Sequence, residues 1–103
     1  MNEQQTQDKV SELFSQAIDN RASDIHLESS ANGGRIRLRI DGILREASLL
    51  NKDEYQAVTR LVKKMSNADV ENVRQPQNGR IMMNIRDQAY DLRMATIPCH
   101  YGE

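Results

Sequence analysis

The sequence predicts an α+β domain in which two helices pack on one antiparallel sheet, in the order α-β-β-β-α-β-β. Two segments place apolar residues at the three- and four-residue spacing of an amphipathic helix, and four segments alternate apolar with polar residues as half-buried strands do. A fifth strand is predicted at residues 43–46, directly after the Asp41-Gly42 turn. With 103 residues, the chain has the length of one small domain. The two layers should therefore enclose a single core.

The first helix is predicted over residues 5–19, with Asn20 at its end. Its apolar positions share one face. They are Val10, Leu13, Phe14, Ala17 and Ile18. Residues 22–28 then alternate in hydrophobicity and predict a strand with Ile25 and Leu27 on the core side, after which Ser, Asn and Gly residues indicate a loop.

Residues 35–40 alternate without interruption and predict a second strand whose even-numbered side chains face the core. Asp41-Gly42 follows, and this pair favours a two-residue type I′ turn because both central residues of that turn need a positive φ. The turn predicts the cross-strand pairs Arg37 with Glu46 and Leu38 with Arg45. Since the second pair sets an apolar residue against a charge, we expect the third strand to fray or bulge near Arg45.

The second helix is predicted over residues 52–66, where Asn51 and Glu54 have the spacing of a capping box. Its apolar stripe consists of Val58, Leu61, Val62 and Met65. Residues 67–79 are polar and predict a long connection. Alternating segments at residues 81–85 and 90–94, separated by a turn at Asp87-Gln88, predict the last two strands.

The composition excludes several classes of protein. A formal net charge of −1 argues against a protein that coats nucleic acid or a membrane surface through a basic excess. No apolar run approaches the ~20 residues of a membrane-spanning helix, and the first residues lack the pattern of a secretory signal. The lone Cys99 permits no internal disulfide, which fits a reducing, cytosolic location.

Sequence motifs for catalysis are missing. The chain has neither G-x-x-x-x-G-K-[ST] nor G-x-G-x-x-G, so we expect no nucleotide hydrolysis by this chain alone. His26, Cys99 and His100 do not have the spacing of a metal site, and we predict none. Cys99 follows no nucleophile elbow and no helix start, which argues against a nucleophilic role.

A row of arginines is the feature that stands out. Arg35, Arg37 and Arg39 share one face of the predicted second strand, roughly 6.5–7 Å apart. Spacing alone favours a ladder of salt bridges in which Asp41 and Glu46 are the local partners, joined by Asp24 and Glu28 on the neighbouring strand. The other interpretation is a rigid seat for the phosphates of a nucleotide or RNA. Asp24, His26 and Glu28 also share a face, which we interpret as a polar strand edge rather than a general base.

Five blocks of sequence, in this order and spacing, carry a resemblance to a known family. They are residues 22–28 (ASDIHLE), 37–45 (RLRIDGILR), 76–81 (PQNGRI), 91–98 (DLRMATIP) and 100–103 (HYGE). Each block alone is weakly specific, but together they span nearly the whole chain. On these blocks the chain resembles the second N-terminal domain of the type II secretion and type IV pilus assembly ATPases.

The resemblance implies a single PAS-like N-terminal domain over residues 1–103, cut before a RecA-like domain with Walker A and Walker B motifs. The fragment itself would then be no enzyme and would bind no cofactor alone, whereas the full-length protein would use ATP and Mg²⁺ in a homo-hexamer. Its implied partners are the RecA-like domain of the same or a neighbouring subunit and the inner-membrane secretion or pilus platform, with no nucleic acid. Its implied location is cytoplasmic, peripheral to the inner membrane through those partners.

The resemblance also implies which residues contact nucleotide. In the family, arginines of this domain reach phosphates held by a C-terminal domain, and by motif position Arg37 and Arg39 match best, with Arg93 and Arg80 as weaker candidates. Delivered by domain closure, such a guanidinium stabilises charge on the γ-phosphate oxygens. Asn78 stands where the family usually has Asp, which removes one charge. The first helix begins near the N-terminus, so we expect no earlier domain that docks on the platform.

Two other functions stay open on the sequence. A stand-alone RNA-binding module would use the basic strand face, but the predicted sheet lacks aromatic residues on which bases stack. A PAS-like sensor would hold a small ligand, for which the short aliphatic core leaves little room. A P-loop within roughly 40–60 residues after Glu103 would favour the ATPase domain over both.

Overall fold

The helices and strands form in the predicted order in a computed structural model that describes residues 2–85 and 87–98. The described residues form two helices and five strands, which confirms the α+β class. The helices are α1 (Glu3–Asp19) and α2 (Lys52–Met65). The strands are β1 (Asp24–Ser30), β2 (Gly33–Ile40), β3 (Ile43–Asn51), β4 (Gln77–Ile85) and β5 (Gln88–Ile97).

Both helices begin at a capping box. At α2 the Asn51 side chain accepts a hydrogen bond from the backbone N–H of Glu54 at 2.9 Å, and the Glu54 side chain accepts one from the N–H of Asn51 at 3.0 Å. Asn2 and Gln5 exchange the same two bonds at α1. Each box satisfies backbone donors that the first turn leaves unpaired, which is why short polar residues start these helices.

The sheet has the strand order β3-β2-β1-β5-β4 and is mixed, which corrects the expectation of a wholly antiparallel sheet. β1 pairs with β5 in parallel, while the other three pairs are antiparallel. The correction has a topological reason. β3 and β4 lie at opposite edges, so α2 and its connection cross the sheet, and no tight turn sets the direction in which the last hairpin meets β1.

The hairpin between β2 and β3 forms as predicted. Asp41 has φ 52° and Gly42 has φ 79°, as a type I′ turn requires. Arg37 lies opposite Glu46 and Leu38 opposite Arg45, also as predicted. The expected irregularity lies two residues beyond Arg45, where the register shifts and Ala47 is the extra residue, and β3 continues to Asn51 without fraying.

The core lies between the helices and one face of the sheet. The predicted inward residues Ile25, Leu27, Ile36 and Leu38 are at most 2% exposed. The buried face of α2 differs from the predicted stripe, because Leu61 is only partly buried and Met65 is 41% exposed. Its buried residues are Tyr55, Val58, Thr59, Val62 and Lys63.

The connection after α2 is shorter than predicted and folds back on the helix, which explains the different buried face. β4 begins at Gln77, so residues 77–79 belong to a strand rather than to the connection. The Gln77 side chain accepts a hydrogen bond from the N–H of Asp69 and donates to the carbonyl oxygens of Asp69 and Asn72. Lys63 Nζ also donates to the Asn72 carbonyl at 2.8 Å, so the connection covers that side of α2.

Gly34 allows α2 to lie close to the sheet, and Gly34→Ala tests this contact. A methyl group on Gly34 would overlap the ring of Tyr55, which is 8% exposed. We expect Gly34→Ala to lower the free energy of unfolding by about 1–3 kcal/mol, measured by urea denaturation. In a Tyr55→Ala background the same substitution should be nearly neutral, and an equal loss in both backgrounds would show that the ring is not the obstacle.

Candidate functional site

The sheet face opposite the helices carries the arginines that the sequence singled out. Because side chains alternate along a strand, burying the even-numbered apolar residues of β2 turns Arg35, Arg37 and Arg39 to this face. The cross-strand partners Glu28, His26 and Asp24 of β1 share it. Arg93 of β5 lies opposite Asp24 on the other side of β1. We call Asp24, His26, Glu28, Arg35, Arg37, Arg39 and Arg93 the arginine face.

Asp24 joins β2 and β5 across this face. Its carboxylate lies 3.3 Å from Arg39 Nε and 2.9 Å from Arg93 Nε, and its Oδ2 also accepts a hydrogen bond from the Ser23 hydroxyl at 2.7 Å. The Asp24 side chain is 12% exposed. Burial of this kind weakens competition from water, so Asp24 fixes the position of two guanidinium groups.

Glu28 serves the other two arginines. Arg37 donates from Nε at 2.5 Å and Arg35 from a terminal nitrogen at 3.3 Å. Burial by itself would raise the pKa of the Glu28 carboxyl, but the hydrogen bond and charge of Arg37, together with Arg35, outweigh burial and lower this pKa. Glu28 therefore stays ionised and holds both guanidiniums.

The salt-bridge ladder is thus confirmed, with Asp24 and Glu28 as the carboxylates. The local partners expected first, Asp41 and Glu46, are wrong, because in the described part of the chain these arginines form their ion pairs with β1 instead. Glu46, although opposite Arg37 in register, is exposed. The interpretation of β1 as a polar strand edge is wrong, because β1 is the central strand of the sheet. Charged residues in the centre of a sheet bring partners from both neighbouring strands together.

The arginine face keeps an excess of positive charge. Two carboxylates contact four guanidiniums. The only other titratable group of the face, His26, has its pKa lowered by burial and by Arg39, despite the opposite effect of Asp24 and Glu28, so it is neutral at pH 7. Since Arg37 contacts Glu28 through Nε, its two terminal nitrogens remain as donors on this face. The geometry suits a bound anion with several acceptor oxygens.

Arg80 fits this arrangement less well. It lies opposite Arg93, but it forms its own ion pair with Asp91, and that contact lowers the pKa of the Asp91 carboxyl. β4 is the edge strand, three strands from β2, which places the backbones of Arg80 and Arg39 about 14 Å apart. The structure therefore brings Arg37, Arg39 and Arg93 together and leaves Arg80 at the rim.

Acid titration tests the role of Glu28. Its pKa is lower in the folded chain than its ordinary value of 4.5, so it stabilises the fold above that pH, and this stabilisation is lost as pH falls through the folded pKa. We expect Glu28→Gln to lower the free energy of unfolding at pH 7 by about 1–3 kcal/mol. The difference from wild type should shrink below pH 4.5, as measured by chemical denaturation at several pH values. A difference that is independent of pH would contradict the ion pairs.

The sequence predicts no metal site and no nucleophilic cysteine, and it has no apolar run long enough for a membrane span. Across residues 2–85 and 87–98, no three His, Cys, Asp or Glu side chains come together in an arrangement for a metal ion. Cys99 and His100, considered as a nucleophile or metal ligands, lie outside the described residues. Neither described helix combines the length and apolar character that a membrane span requires.

Comparison with known proteins shows to which family the chain belongs. The sequence of residues 2–103 matches the sequence model of a protein family that is described as type II/IV secretion system protein. The chain belongs to this family. Its resemblance to the secretion and pilus ATPases is therefore confirmed over the whole sequence.

Several relatives in the type II/IV secretion system family are similar to the chain. It is 41% identical over 87 residues to the protein transport protein HofB homolog of Escherichia coli K12, which covers 84% of the chain and 19% of the relative. It is 39% identical over 94 residues to type II secretion system protein E of Aeromonas hydrophila (91% and 19%). It is 39% identical over 103 residues to type IV pilus assembly ATPase PilB of Thermus thermophilus (100% and 12%). The chain thus spans about a fifth or less of these relatives.

Two parts of this secretion-family domain escaped the sequence reasoning. Arg93 meets Asp24 only because β1 and β5 are parallel neighbours, and no local pattern predicts that pairing. Lys63 and Thr59 are buried although their helical positions lie beside the predicted apolar stripe, and Lys63 contacts the connection after α2 through the Asn72 carbonyl oxygen. A buried lysine on the polar flank of an amphipathic helix gives no sequence signal.

Proposed function

We propose that this chain is an N-terminal domain of a hexameric ATPase for type II secretion or type IV pilus assembly. In this proposal Arg37 and Arg39 contact the phosphates of a nucleotide held by a RecA-like domain of the same or a neighbouring subunit. The observation that carries the proposal is the arginine face, where the carboxylates of the buried Asp24 and the partly buried Glu28 hold four guanidiniums on one open surface of the sheet. Similarity to the secretion protein E and PilB supports it.

The ion pairs suit such a role because they orient guanidiniums without neutralising the whole face. Arg37 and Arg39 each contact a carboxylate through Nε. One terminal nitrogen of Arg39 also donates to the Gly42 carbonyl oxygen at 3.2 Å, so its other terminal nitrogen and both of those of Arg37 are the donors left for a phosphate. A phosphate that approaches when two domains close would meet donors already in position, so little ordering is needed at that moment. During phosphoryl transfer, charge builds on the γ-phosphate oxygens, and these donors would stabilise it.

Other parts of the proposal concern the whole protein. ATP and Mg²⁺ would be bound by the RecA-like domain, whereas this chain alone would bind neither and would not hydrolyse ATP. Domain closure over the nucleotide would couple hydrolysis to movement of the inner-membrane secretion or pilus platform. The protein would then work in the cytoplasm, at the inner membrane through its partners.

The sequence that follows Glu103 tests the domain assignment. We expect a strand and then G-x-x-x-x-G-K-[ST] within roughly 40–60 residues. A full-length gene without this motif would contradict the proposal.

RNA binding is the alternative function, because the positive charge of the arginine face would also suit the phosphates of RNA. Against it, no Phe, Tyr or Trp lies on the arginine face or its register partners in the described strands, so bases have no ring on which to stack. Fluorescence anisotropy with labelled single-stranded RNA at 50 and 200 mM salt separates the two functions. We expect no saturable binding, and tight binding that weakens with salt would favour the alternative.

A further inference from the structure

A cavity of about 460 Å³ lies on the helix side of the sheet, away from Arg37 and Arg39. It is enclosed by α2, by the connection between α2 and β4, and by the ends of β1 and β5. Its volume is in the range of small-molecule pockets. The sequence predicted little room for a ligand in the core, and this space lies beside the core rather than inside it.

The cavity is lined by cations. Lys52, Arg60, Lys63 and Arg74 contribute to its wall, and no Asp or Glu does among the described residues. Arg60 contacts Glu71 at 3.2 Å, but the Glu71 side chain is 81% exposed and directed to solvent. The positive charge of the cavity is therefore largely uncompensated.

Lys63 is the most unusual of these cations. It is only 3% exposed, and in the described part of the chain its charge meets a backbone carbonyl, that of Asn72 at 2.8 Å, and no ion-pair partner. Burial lowers its pKa, and the more distant Asp69 only partly offsets this. A buried ammonium group with one neutral acceptor has donors left for an anion.

Thr59 gives an independent indication of a ligand. It lies one turn before Lys63 on α2, lines the same cavity and is 8% exposed. Its Oγ1 is buried and makes no hydrogen bond of ordinary length and angle with the described residues, although it lies near enough to the Tyr55 hydroxyl to influence the pKa of that group. Since buried hydroxyl groups are nearly always paired, an acceptor or donor from a bound molecule explains why a hydroxyl is present here.

One part of the remaining wall is apolar, and the rest includes polar side chains such as Ser30, Gln56 and Gln75. Val73 is 68% exposed and Ile97 is 41% exposed, and both lie at the cavity with Val70 and Pro98. Large apolar side chains that stay exposed beside a cationic pocket suit a molecule with a flat apolar body and a charged group.

We propose that this cavity binds an organic phosphate, with its phosphate group at Lys63 and Thr59 and its apolar body against Val73 and Ile97. The anion matches the cations, and the apolar body matches the exposed wall. This site is separate from the arginine face, and its test uses the 103-residue chain without ATP turnover. If the chain does not bind an organic phosphate in this cavity, the proposed function of the arginine face is unaffected. If the arginines prove to have no role in ATP turnover, the proposed ligand site is likewise unaffected.

The test uses 1-naphthyl phosphate as a probe, titrated into the chain and followed by NMR shifts of backbone amides. We expect saturable binding, with shifts confined to α2, residues 66–76 and the end of β5. Inorganic phosphate and 1-naphthol should each bind at least tenfold more weakly, because the first lacks the apolar body and the second lacks the phosphate group. Equal binding of 1-naphthol, or no saturable binding of the phosphate, would overturn the proposal.

Three variants locate the site. Thr59→Val should weaken binding several-fold while keeping or raising the melting temperature, because it removes an unpaired hydroxyl and conserves volume. Lys63→Gln should weaken binding about tenfold. Lys64→Gln, an equal change of charge at the exposed next residue, should leave binding unchanged. Equal losses in Lys63→Gln and Lys64→Gln, or unchanged binding in Thr59→Val, would contradict this placement.

Discussion

Arg37→Ala in the full-length protein, which we propose to be an ATPase, should lower the rate of ATP turnover by about 10³-fold, the effect of removing an arginine that stabilises charge on a transferred phosphoryl group. The structural reason is that the Arg37 terminal nitrogens are held on an open face by the Nε contact to Glu28. Arg39→Ala should act in the same direction. Turnover is measured together with nucleotide affinity and the size of the assembly, so that a loss of chemistry is separated from a loss of the ring.

Arg35→Ala is the matched control. Arg35 lies on the same face of the same strand and contacts the same carboxylate, but its position is outside the residues assigned to nucleotide. We expect it to keep most of the turnover. If Arg37→Ala and Arg39→Ala leave turnover unchanged while the chain melts at the wild-type temperature, these arginines have no part in phosphoryl transfer.

Leu38→Ala should lower the free energy of unfolding by about 2–5 kcal/mol. Leu38 is 2% exposed and lies in the centre of β2, so truncation removes packing in the core and leaves a cavity. For a domain this small, such a loss is a large part of its total stability. Thermal and urea denaturation of the 103-residue chain measure it.

Leu49→Ala provides the comparison for that loss. Leu49 lies opposite Arg35 on β3 and is 69% exposed, so the same truncation removes little buried surface. We expect its effect to stay within about 0.5 kcal/mol. Equal effects of the two substitutions would mean that the two faces of the sheet are assigned the wrong way round.

The parts of the fold that were predictable depend on local sequence. The Asp41-Gly42 turn requires two positive φ angles, and that requirement alone sets the pairing of Arg37 with Glu46. The box of Asn51 and Glu54 likewise involves backbone groups within one turn. Alternation then places the apolar and charged residues of β2 on opposite faces.

The parts that failed depend on contacts between distant segments. The parallel pairing of β1 with β5 follows from how the last hairpin meets the sheet, and neither strand carries a pattern that specifies direction. The buried face of α2 is rotated toward Lys63 because Gln77 and Lys63 bind the connection that covers it. Helical periodicity identifies an amphipathic helix, but a covering loop decides how far its buried surface extends.

The same division applies to the arginine face. Arg37 and Arg39 share a surface because side chains alternate along a strand. Which carboxylates contact them depends on the register between β1 and β2. Sequence proximity favoured Asp41 and Glu46, whereas the register brings the more distant Asp24 and Glu28 to the arginines. The third arginine of the cluster, Arg93, arrives through the unpredicted parallel pair.

A structure of the full-length assembly with a non-hydrolysable ATP analogue tests the central claim most directly. We expect a terminal nitrogen of Arg37 or Arg39 to lie about 2.7–3.2 Å from a phosphate oxygen, with the Nε contacts to Glu28 and Asp24 retained. The contrary result is that no phosphate oxygen lies within hydrogen-bond distance of either guanidinium. The arginine face would then stabilise the sheet and have no part in nucleotide chemistry.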